Sequence, residues 1–321
     1  MSEPLVSVVI PCHNAGAWLE ATLASVRAQT WRNYEIILVD DGSTDGSGAL
    51  ADRLAGPDLR VVHQPNAGQC AALNHGVRLA QGDFFNYLDA DDLLAPDKIA
   101  VQVARLERGG GEFVASGAWA RFRGDPAEAR FEPEPVWRDL PPVDWLVTSW
   151  SGGGMMHGAA WLIPRALIER AGPWNEELSL INDLDYFPRV LLAGRGISFC
   201  PEARTYYRSG QAGALSGLNS RRGWESAFKA TALAQAALLA AEDSPRTRRA
   251  CADNLQRLIH AAYPFAPDLV AAAEAEVRRL GGSPVEPGGG RAFLLLRRLF
   301  GWKLARRLQV QARRQLRQIS P

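Results

Sequence analysis

Two carboxylates in an acidic hexapeptide have the spacing of a divalent-cation site. Tyr87–Asp92 reads Y-L-D-A-D-D and follows an apolar run that predicts a strand. Side chains alternate along a strand, so Asp89 and Asp91 should point to the same side and repel each other. Mg²⁺ or Mn²⁺ would relieve that repulsion, because hard cations take oxygen ligands and leave positions open for phosphates. The alternative is an acidic helix N-terminus with Asp92 or Asp97 complementing the helix dipole, a role that we assign to Asp92 and not to Asp89 or Asp91.

A second acidic pair, Asp40 and Asp41, also follows a predicted strand. The apolar run Ile36–Val39 precedes the pair, and a Gly-Ser-Thr turn comes next. Ligands of open parallel sheets bind beyond the carboxyl ends of the strands, where a carboxylate can accept hydrogen bonds from a base or a ribose. A solvated turn that caps the next helix through Ser43 or Asp45 is an equal alternative.

Polar residues mark the starts of two predicted helices. Either Asn66 caps a helix that begins near Gly68, or the same helix start presents backbone N–H groups to a nucleotide. Asp183 stands at the start of a helix that extends to Ala193, where an N-cap is the simple interpretation. The sequence contains neither G-x-G-x-x-G nor G-x-x-x-x-G-K-[ST], which disfavours a dinucleotide enzyme and a P-loop NTPase.

An alternation of short strands and helices must position these residues. The predicted strands are Val6–Ile10, Glu35–Val39, Leu59–His63, Phe84–Leu88, Phe113–Arg123, Ala159–Ile163, Ile197–Phe199 and Arg204–Tyr207. The predicted helices are Ala17–Ala28, Ser47–Leu54, Gly68–Ala80, Pro96–Arg108, Arg165–Arg170 and Asp183–Ala193, with a loop at 124–142. This alternation implies right-handed βαβ units and an α/β fold with a mostly parallel central sheet flanked by helices.

The composition changes in the last third of the chain. From Trp224 onward alanine, leucine and arginine predominate, which predicts an all-helical region that is broken at Pro264 and at Gly281–Gly290. We therefore expect an α/β domain at 1–222 and a helical C-terminal region at 223–321.

The C-terminal segment 291–319 combines leucine and aromatic residues with cations. It contains no acidic residue, and its nine cations are Arg291, Arg297, Arg298, Lys303, Arg306, Arg307, Arg313, Arg314 and Arg317. This composition predicts a helix that lies on an anionic membrane face. A helix that packs on its own protein with a solvated basic face fits nearly as well. Binding to nucleic acid is the weakest of the three interpretations, so we expect no nucleic-acid partner.

The overall composition is that of a globular protein. Of 321 residues, 47% are hydrophobic and 22% are charged, and the formal net charge is +1. Four cysteines stand far apart without a C-x-x-C pair, which argues against a zinc site or a disulfide framework and suits a reducing cytosol. No apolar run approaches the ~18 residues that span a bilayer, and no secretory signal is recognisable. These features predict a cytoplasmic protein, soluble or peripheral on the inner face of a membrane.

Five sequence blocks in order resemble the family 2 glycosyltransferases. The blocks are V-S-V-V-I-P-C-H-N at Val6–Asn14, L-A-S-V-R-A-Q-T at Leu23–Thr30, I-I-L-V-D-D-G-S-T-D-G-S at Ile36–Ser47, N-A-G-Q-C-A-A-L-N-H-G at Asn66–Gly76 and Y-L-D-A-D-D at Tyr87–Asp92. A sixth block at Gly172–Tyr186 is similar to the stretch that ends in the family's catalytic acid pair. The resemblance extends to about Arg208 and implies the A-type glycosyltransferase fold, which is Rossmann-like.

The resemblance also implies a role for each matching residue. Pro11, His13 and Asn14 would lie beside the nucleoside, Asp40 would bond the base (commonly uracil), and Asn66 and Gly68 would line the nucleotide pocket. Asp89 would face the ribose and the metal, Asp91 would bind the Mg²⁺ or Mn²⁺ that bridges the diphosphate, and Asp183 would be the general base. The implied reaction is an inverting transfer from a nucleotide-diphosphate sugar, with UDP favoured, to a hydroxyl of a glycan or lipid-linked acceptor in cell-envelope polysaccharide biosynthesis.

The acceptor side is implied by position alone. In the A-type fold the region before the acid block lies near the acceptor, which makes His157 and Trp161 candidates for acceptor or diphosphate contact. A structural histidine and a core tryptophan are the alternatives. Asn182 belongs to the same group, as does Arg208, which with residues 209–216 would form a lid over the diphosphate or a plain surface loop.

Three departures from the family pattern limit the inference. His13 stands where an aromatic residue is common, and Asn182 replaces the first acid of the usual Glu-Asp pair. No Q-x-x-R-W block is present, so a non-processive enzyme is expected. Two alternatives remain: a nucleotidyltransferase that acts on a sugar-1-phosphate, and a sugar-nucleotide-binding assembly protein with a degenerate site.

Overall fold

The computed structural model describes residues 3–109, 111–210 and 220–319. In chain order its strands are β1 (Val6–Cys12), β2 (Tyr34–Asp41), β3 (Leu59–Gln64), β4 (Phe84–Tyr87), β5 (Leu93–Leu94), β6 (Phe113–Phe122), β7 (Ile163–Pro164) and β8 (Gly196–Arg208). The central sheet has the order β3-β2-β1-β4-β7, and its strands are parallel except for β7. The predicted mostly parallel sheet is confirmed.

Helices cover both faces of this sheet. The helices of the α/β part are α1 (Leu19–Arg27), α2 (Ser47–Leu54), α3 (Gln69–Leu79), α4 (Lys98–Glu107), α5 (Pro142–Trp150), α6 (Arg165–Ala171) and α7 (Asp183–Ala193). Residues of α1, α2 and α4 pack with Val8 and Ile10 on one face, whereas α3, α6 and α7 pack with Val9 and Ile37 on the other. Strands buried on both faces read as continuous apolar runs, which is why Val6–Ile10 shows no polar alternation beyond Ser7.

A second sheet, in the order β5-β8-β6, was not predicted as a separate layer. Its strand β8 combines two predicted strands, because the register of β8 against β6 shifts between Gly117 and Ala118 while the chain continues. Gly117 is required at this irregularity, since an added Cβ would lie 2.1 Å from the carbonyl oxygen of Ala203. The sequence gap around Pro201 therefore marks a bulge and not a strand end.

The predicted strand Ala159–Ile163 is wrong. Residues Gly158–Ala160 form a short 3₁₀ turn, Leu162 makes an isolated bridge to Ala115 of β6, and Ile163–Pro164 pair with β4 of the central sheet. The reason is that buried side chains bind the backbone carbonyls here: Asn86 Nδ2 donates to Ala159 and Trp161, and Gln102 Nε2 donates to Ala160. These apolar residues are buried as a clamped turn instead of as a strand.

The C-terminal region is helical, as predicted. Its helices are α8 (Arg221–Ala241), α9 (Pro245–Ala262), α10 (Pro267–Arg279), α11 (Arg291–Phe300) and α12 (Trp302–Ile319). One hydrophobic cluster runs from Val9 in the sheet to Leu255 and Val277 in these helices. The division into 1–222 and 223–321 stays a prediction. Within the described residues, no helix is both long and apolar enough to cross a bilayer.

One buried histidine in this region should make stability depend on pH. Burial and the nearby cations Arg306, Arg257 and Arg297 lower the pKa of His260 to about 4, although Glu274 acts in the opposite direction. Because this pKa lies below the unfolded value of 6.5, the unfolded chain takes up the proton first as the pH falls. His260 therefore does not lower the free energy of unfolding above pH 6.5, and it lowers that free energy progressively as the pH falls towards 4.

Because of this histidine, we expect the free energy of unfolding to fall by about 2 kcal/mol between pH 7 and pH 5. Denaturant unfolding of the wild type and of His260→Gln at both pH values measures the effect. The variant should lose less stability on acidification than the wild type. Equal losses in the two proteins would show that His260 does not control the acid side of the stability curve.

Candidate active site

The loops after β1 and β2 are joined by hydrogen bonds at the carboxyl edge of the sheet. The backbone N–H of Asn14 donates to Ser43 Oγ (3.0 Å), and the N–H of Thr44 donates to Asn14 Oδ1 (2.8 Å). Pro11 lies on β1 beside Val39 of β2, so it borders the same edge. Asn14 has a positive φ of 54°, which asparagine tolerates better than most residues.

Asp41 organises the loop that begins α3. Its carboxylate accepts from the backbone N–H groups of Ala67 and Gly68, both at 2.8 Å, and the carbonyl of Asp41 contacts His13 Nδ1 at 2.9 Å. Asn66 Nδ2 lies 3.2 Å from the same ring nitrogen. Gly68 has φ of +93°, a conformation that favours glycine. The structure thus brings His13, Asn66 and Gly68 together, and it shows that Asp41, to which the sequence analysis gave no role, holds them.

Asp40 is buried and is hydrogen-bonded within the protein. Its Oδ1 accepts from the N–H of Ser43 (3.1 Å) and its Oδ2 contacts His63 Nδ1 (2.9 Å). Burial raises the pKa of Asp40, but the hydrogen bonds from Ser43 and His63 outweigh burial and hold that pKa below its usual range. Asp40 is therefore ionised at neutral pH, and both of its oxygens have protein partners.

The acidic turn after β4 contains a candidate metal site. Asp89, Asp92 and His157 each offer one ligand atom, and the three atoms lie within 4.8 Å of one another. His157 Nε2 is 3.2 Å from Asp92 Oδ2 and 4.0 Å from Asp89 Oδ2. Asp92 Oδ2 is buried and makes no hydrogen bond to any described residue. An orphaned carboxylate oxygen beside a second carboxylate and an imidazole fits a divalent cation.

The electrostatics of this cluster also call for a cation. Desolvation and the charges of Asp91 and Asp183 raise the pKa of Asp89 to about 7, against the hydrogen bond from Gln69. The Asp89 side chain is nevertheless 42% exposed, so solvent screens part of the effect of burial and of the neighbouring charges on this pKa. Burial, with the charges of Asp89 and Asp91, raises the pKa of Asp92 well above its usual range. The carboxylates thus repel one another unless a positive charge lies among them.

His157 is neutral, as a metal ligand must be. Burial and then Arg121 lower its pKa to about 4, and its ring stacks on Tyr207 with the centroids 4.6 Å apart. The N–H of Ala159 points at Nδ1 over 3.3 Å. Binding a cation through Nε2 puts the proton on Nδ1, so this long contact would have to give way.

The expected position of Asp92 at a helix N-terminus is wrong. Helix α4 begins only at Lys98, and Asp92 is fully buried with its Oδ1 accepting from the N–H of Arg208 (2.8 Å). Arg208 Nε donates to the carbonyl oxygen of Asp91 (2.9 Å), and its guanidinium is sandwiched between Trp18 and Phe122. Arg208 therefore holds the acidic turn in place. The remainder of the expected lid, residues 211–216, lies outside the described residues.

A chain of amide side chains joins the acidic turn to the start of α7. Asn182 Nδ2 donates to Gln69 Oε1 (3.0 Å), and Gln69 Nε2 donates to Asp89 Oδ1 (2.9 Å). Asn182 Oδ1 also accepts from the N–H of Asp183 (2.9 Å) and caps the helix. The charges of Asp183 and Asp91 both raise the pKa of Asp89, so the two acids lie near the same carboxylate.

Two acids on α7 have different environments. Asp185 is buried and forms a salt bridge with Arg189 (2.7 Å). Asp183 has no cationic side chain within 4.0 Å among the residues that the structure describes, and burial raises its pKa. Asp183 is the carboxylate of this pair that is open to a reacting group.

A serine of the helical region, which the sequence analysis did not single out, supports this helix start. Ser226 Oγ on α8 accepts from the N–H groups of Ser179 (2.8 Å) and Leu180 (3.0 Å). The next residue, Ile181, has a positive φ of 56°, so the turn before Asn182 is strained and needs such support. The buried side of α8 also carries Thr231 and Gln235, so no pattern in the sequence distinguishes Ser226.

Trp161 is not brought to this cleft. It is 1% exposed and packs against Trp145 and Phe187, so its ring is a core side chain. His157, four residues earlier, does reach the acidic cluster. Of the two acceptor candidates in this segment, only His157 contacts the site.

Comparison with known proteins agrees with this architecture. An uncharacterized glycosyltransferase of Rickettsia felis is 31% identical over 193 residues, which is 59% of this chain and 31% of that protein. S. aureus TarS 1-349 in complex with UDP-GlcNAc superposes with a TM-score of 0.62 at 17% identity, over 86% of this chain and 88% of the TarS 1-349 chain. The mannosyltransferase PcManGT of Pyrobaculum calidifontis, in complex with GDP-Man and Mn²⁺, has a TM-score of 0.57 at 23% identity, over 96% and 84% of the two chains.

The two structural neighbours establish the fold alone, and the chain spans less than a third of the length of the Rickettsia relative. The family model for glycosyl transferase family 2 matches residues 7–170, which is 164 of 321 residues. This match includes β1 to β4, the acidic turn and His157. The chain belongs to glycosyl transferase family 2.

Proposed function

We propose that this protein is an inverting glycosyltransferase that moves a sugar from a nucleotide-diphosphate donor to an acceptor hydroxyl. The observation that carries the proposal is the chain Asn182–Gln69–Asp89, which places the start of α7 beside the acidic turn. A base and a diphosphate-binding site must be adjacent in such a transfer, because both act on the same anomeric carbon. Asp183 and the cluster around Asp89 meet that requirement.

In this proposal Asp183 is the general base. The acceptor hydroxyl gives its proton to the Asp183 carboxylate while its oxygen attacks the anomeric carbon from the side opposite the diphosphate. The bond between that carbon and the diphosphate oxygen breaks, and the configuration inverts. Burial raises the pKa of Asp183, which makes its carboxylate a stronger base than one in water.

The donor would lie along the carboxyl edge of the sheet. The loops that carry Pro11, His13, Asn14, Asp40 and Asn66 would hold the nucleoside, and the helix start at Gly68 would face its phosphates. We assign UDP as the nucleotide, on the resemblance of the sequence blocks and on the UDP-GlcNAc in the TarS complex. The acceptor is a hydroxyl of a glycan or of a lipid-linked glycan.

Asp89, Asp92 and His157 would hold the divalent cation, with Asp91 beside them. Carboxylate oxygens suit Mg²⁺ or Mn²⁺, and an imidazole nitrogen favours the transition metal of the two. PcManGT contains Mn²⁺, which supports the same choice here. A bound cation would neutralise charge on the departing diphosphate.

Donor screening with and without metal tests the proposal. The protein is heated with UDP-sugars, GDP-mannose or no nucleotide, in Mn²⁺ or EDTA, and release of nucleoside diphosphate is measured in parallel. We expect metal-dependent thermal stabilisation by a UDP-sugar and release of UDP. Pyrophosphate from a sugar-1-phosphate and a nucleoside triphosphate would instead identify a nucleotidyltransferase. Donor binding without any turnover over a range of acceptors would identify a degenerate binding protein.

A further inference from the structure

Helices α11 and α12 carry most of the exposed large hydrophobic side chains of the protein. Among the described residues nine such side chains are exposed, and six of them lie between positions 294 and 308. We call these six the C-terminal apolar surface: Leu294, Leu295, Leu299, Phe300, Leu304 and Leu308. Their exposed fractions run from 39% to 62%. Scattered single leucines need no explanation, but a contiguous group on two consecutive helices does.

Helix α11 presents its apolar side to solvent. Leu295 and Leu299, one turn apart, are 60% and 62% exposed, and Phe300 is 60% exposed. The contacts with the protein are made by Phe293, which is buried, and by Arg297, which pairs with Glu286 (2.8 Å) and donates to the carbonyl of Pro287. A helix that only packed on its own protein would bury the leucines and expose the arginine.

Helix α12 repeats this arrangement. Trp302 and Ala305 face the protein, where Trp302 contacts His260 and Tyr263. Leu304 and Leu308, again one turn apart, are 42% and 39% exposed. Ala312, four residues after Leu308, is exposed as well.

The charge beside this surface selects the partner. From Arg291 to the end, the sequence has nine cations and no acidic residue. Within the part of the segment whose side chains the structure describes, Arg297 pairs with Glu286 and Lys303 pairs with Glu274. A second copy of this chain would bring like charges together, and a nucleic acid would leave the leucines without an apolar partner. An anionic lipid surface satisfies both the apolar side chains and the cations.

We propose that α11 and α12 bind the surface of an anionic lipid bilayer. The C-terminal apolar surface enters the boundary between headgroups and acyl chains, and the flanking arginines contact the headgroup phosphates. This binding is separate from sugar transfer, and it would bring the enzyme to acceptors that are anchored in the same bilayer. Because the measurement below needs no turnover, its failure would leave the proposed reaction untouched.

Vesicle co-sedimentation of the full chain tests the proposal. Vesicles of phosphatidylcholine with phosphatidylglycerol should bind the protein, vesicles of phosphatidylcholine alone should bind it much less, and added salt should weaken the binding. The double variant Leu295→Gln/Leu299→Gln should lose at least about tenfold in partitioning. Its thermal midpoint should be unchanged, since both side chains are already exposed.

The matched control is Leu233→Gln, which changes an exposed leucine (38%) on α8. It should partition like the wild type. Three results would overturn the proposal: equal partitioning of the double variant and the wild type, equal loss in the control, or a double variant that loses self-association on gel filtration while its vesicle binding persists. The last result would assign the surface to a second copy of the chain.

Discussion

Replacing Asp183 by asparagine should lower kcat by about 10²–10⁴-fold and leave donor binding intact. Asparagine keeps an oxygen that can accept from the N–H of Leu184, as Asp183 Oδ1 does at 2.9 Å, so the start of α7 should be preserved. It cannot accept a proton from an acceptor hydroxyl at neutral pH. In the proposed arrangement the donor would lie on the other side of the Gln69 bridge, so its affinity and its thermal stabilisation of the protein should not change. Steady-state kinetics and donor titration of the two proteins measure both quantities.

Asp185→Asn is the matched control on the same helix. Asp185 is buried and paired with Arg189, so its removal should lower the thermal midpoint. The kcat of the fraction that remains folded should stay close to that of the wild type. A normal kcat for Asp183→Asn, or equal losses of kcat in the two variants, would show that Asp183 is not the base.

The convergence of the site at one sheet edge was predictable from the chain. Strand and helix alternation fixes a parallel sheet, and a parallel sheet places the residues after β1, β2 and β4 at the same end. The bounds of α2 and α7 agree with the predicted Ser47–Leu54 and Asp183–Ala193, because glycine or asparagine precedes each helix. The local sequence pattern was sufficient to predict the position of a residue wherever that position depends on neighbouring residues or on the order of strands in the sheet.

The role of Asp92 was not predictable, because a distant strand determines it. An acid that precedes a proline-led helix has the pattern of a helix start, yet Asp92 is buried by Arg208, which is 116 residues away in sequence. The same holds for Gln69, whose partner Asn182 is 113 residues away. His157 reaches the acidic turn because the segment that follows it, which the apolar pattern assigned to a strand at Ala159–Ile163, begins with a turn. Side chains from β4 and α4 hold this segment in a turn, and no local pattern reports them.

Replacing Asp89 by asparagine should abolish metal-dependent donor binding and at the same time stabilise the metal-free protein. Loss of residues that only support metal ligands costs about 10–100-fold in affinity, so loss of a ligand should cost at least about 100-fold. The hydrogen bond from Gln69 can persist to the amide oxygen, which keeps the link to Asn182. Isothermal titration with Mn²⁺ and a UDP-sugar measures the loss.

The expected stabilisation of the metal-free protein by Asp89→Asn follows from the pKa of about 7 for Asp89. Since this value is above that of a free aspartate, the ionised form is disfavoured in the folded protein, and its cost is fully present above pH 7. Removing the charge at pH 8 without metal should therefore raise the thermal midpoint. The matched control is Asp97→Asn, an exposed acid ahead of α4 whose side chain makes no cap hydrogen bond. It should change neither metal affinity nor the midpoint.

The opposite signs of these two effects separate a metal ligand from a structural carboxylate. A structural carboxylate that accepts from Gln69 would destabilise the protein when it is lost, with or without metal. A metal-ligating carboxylate among other carboxylates destabilises the metal-free protein, and only a bound cation offsets that repulsion. A lower midpoint for metal-free Asp89→Asn, together with unchanged Mn²⁺ affinity, would therefore move the cation away from Asp89, Asp92 and His157 and remove the basis for the proposed donor site.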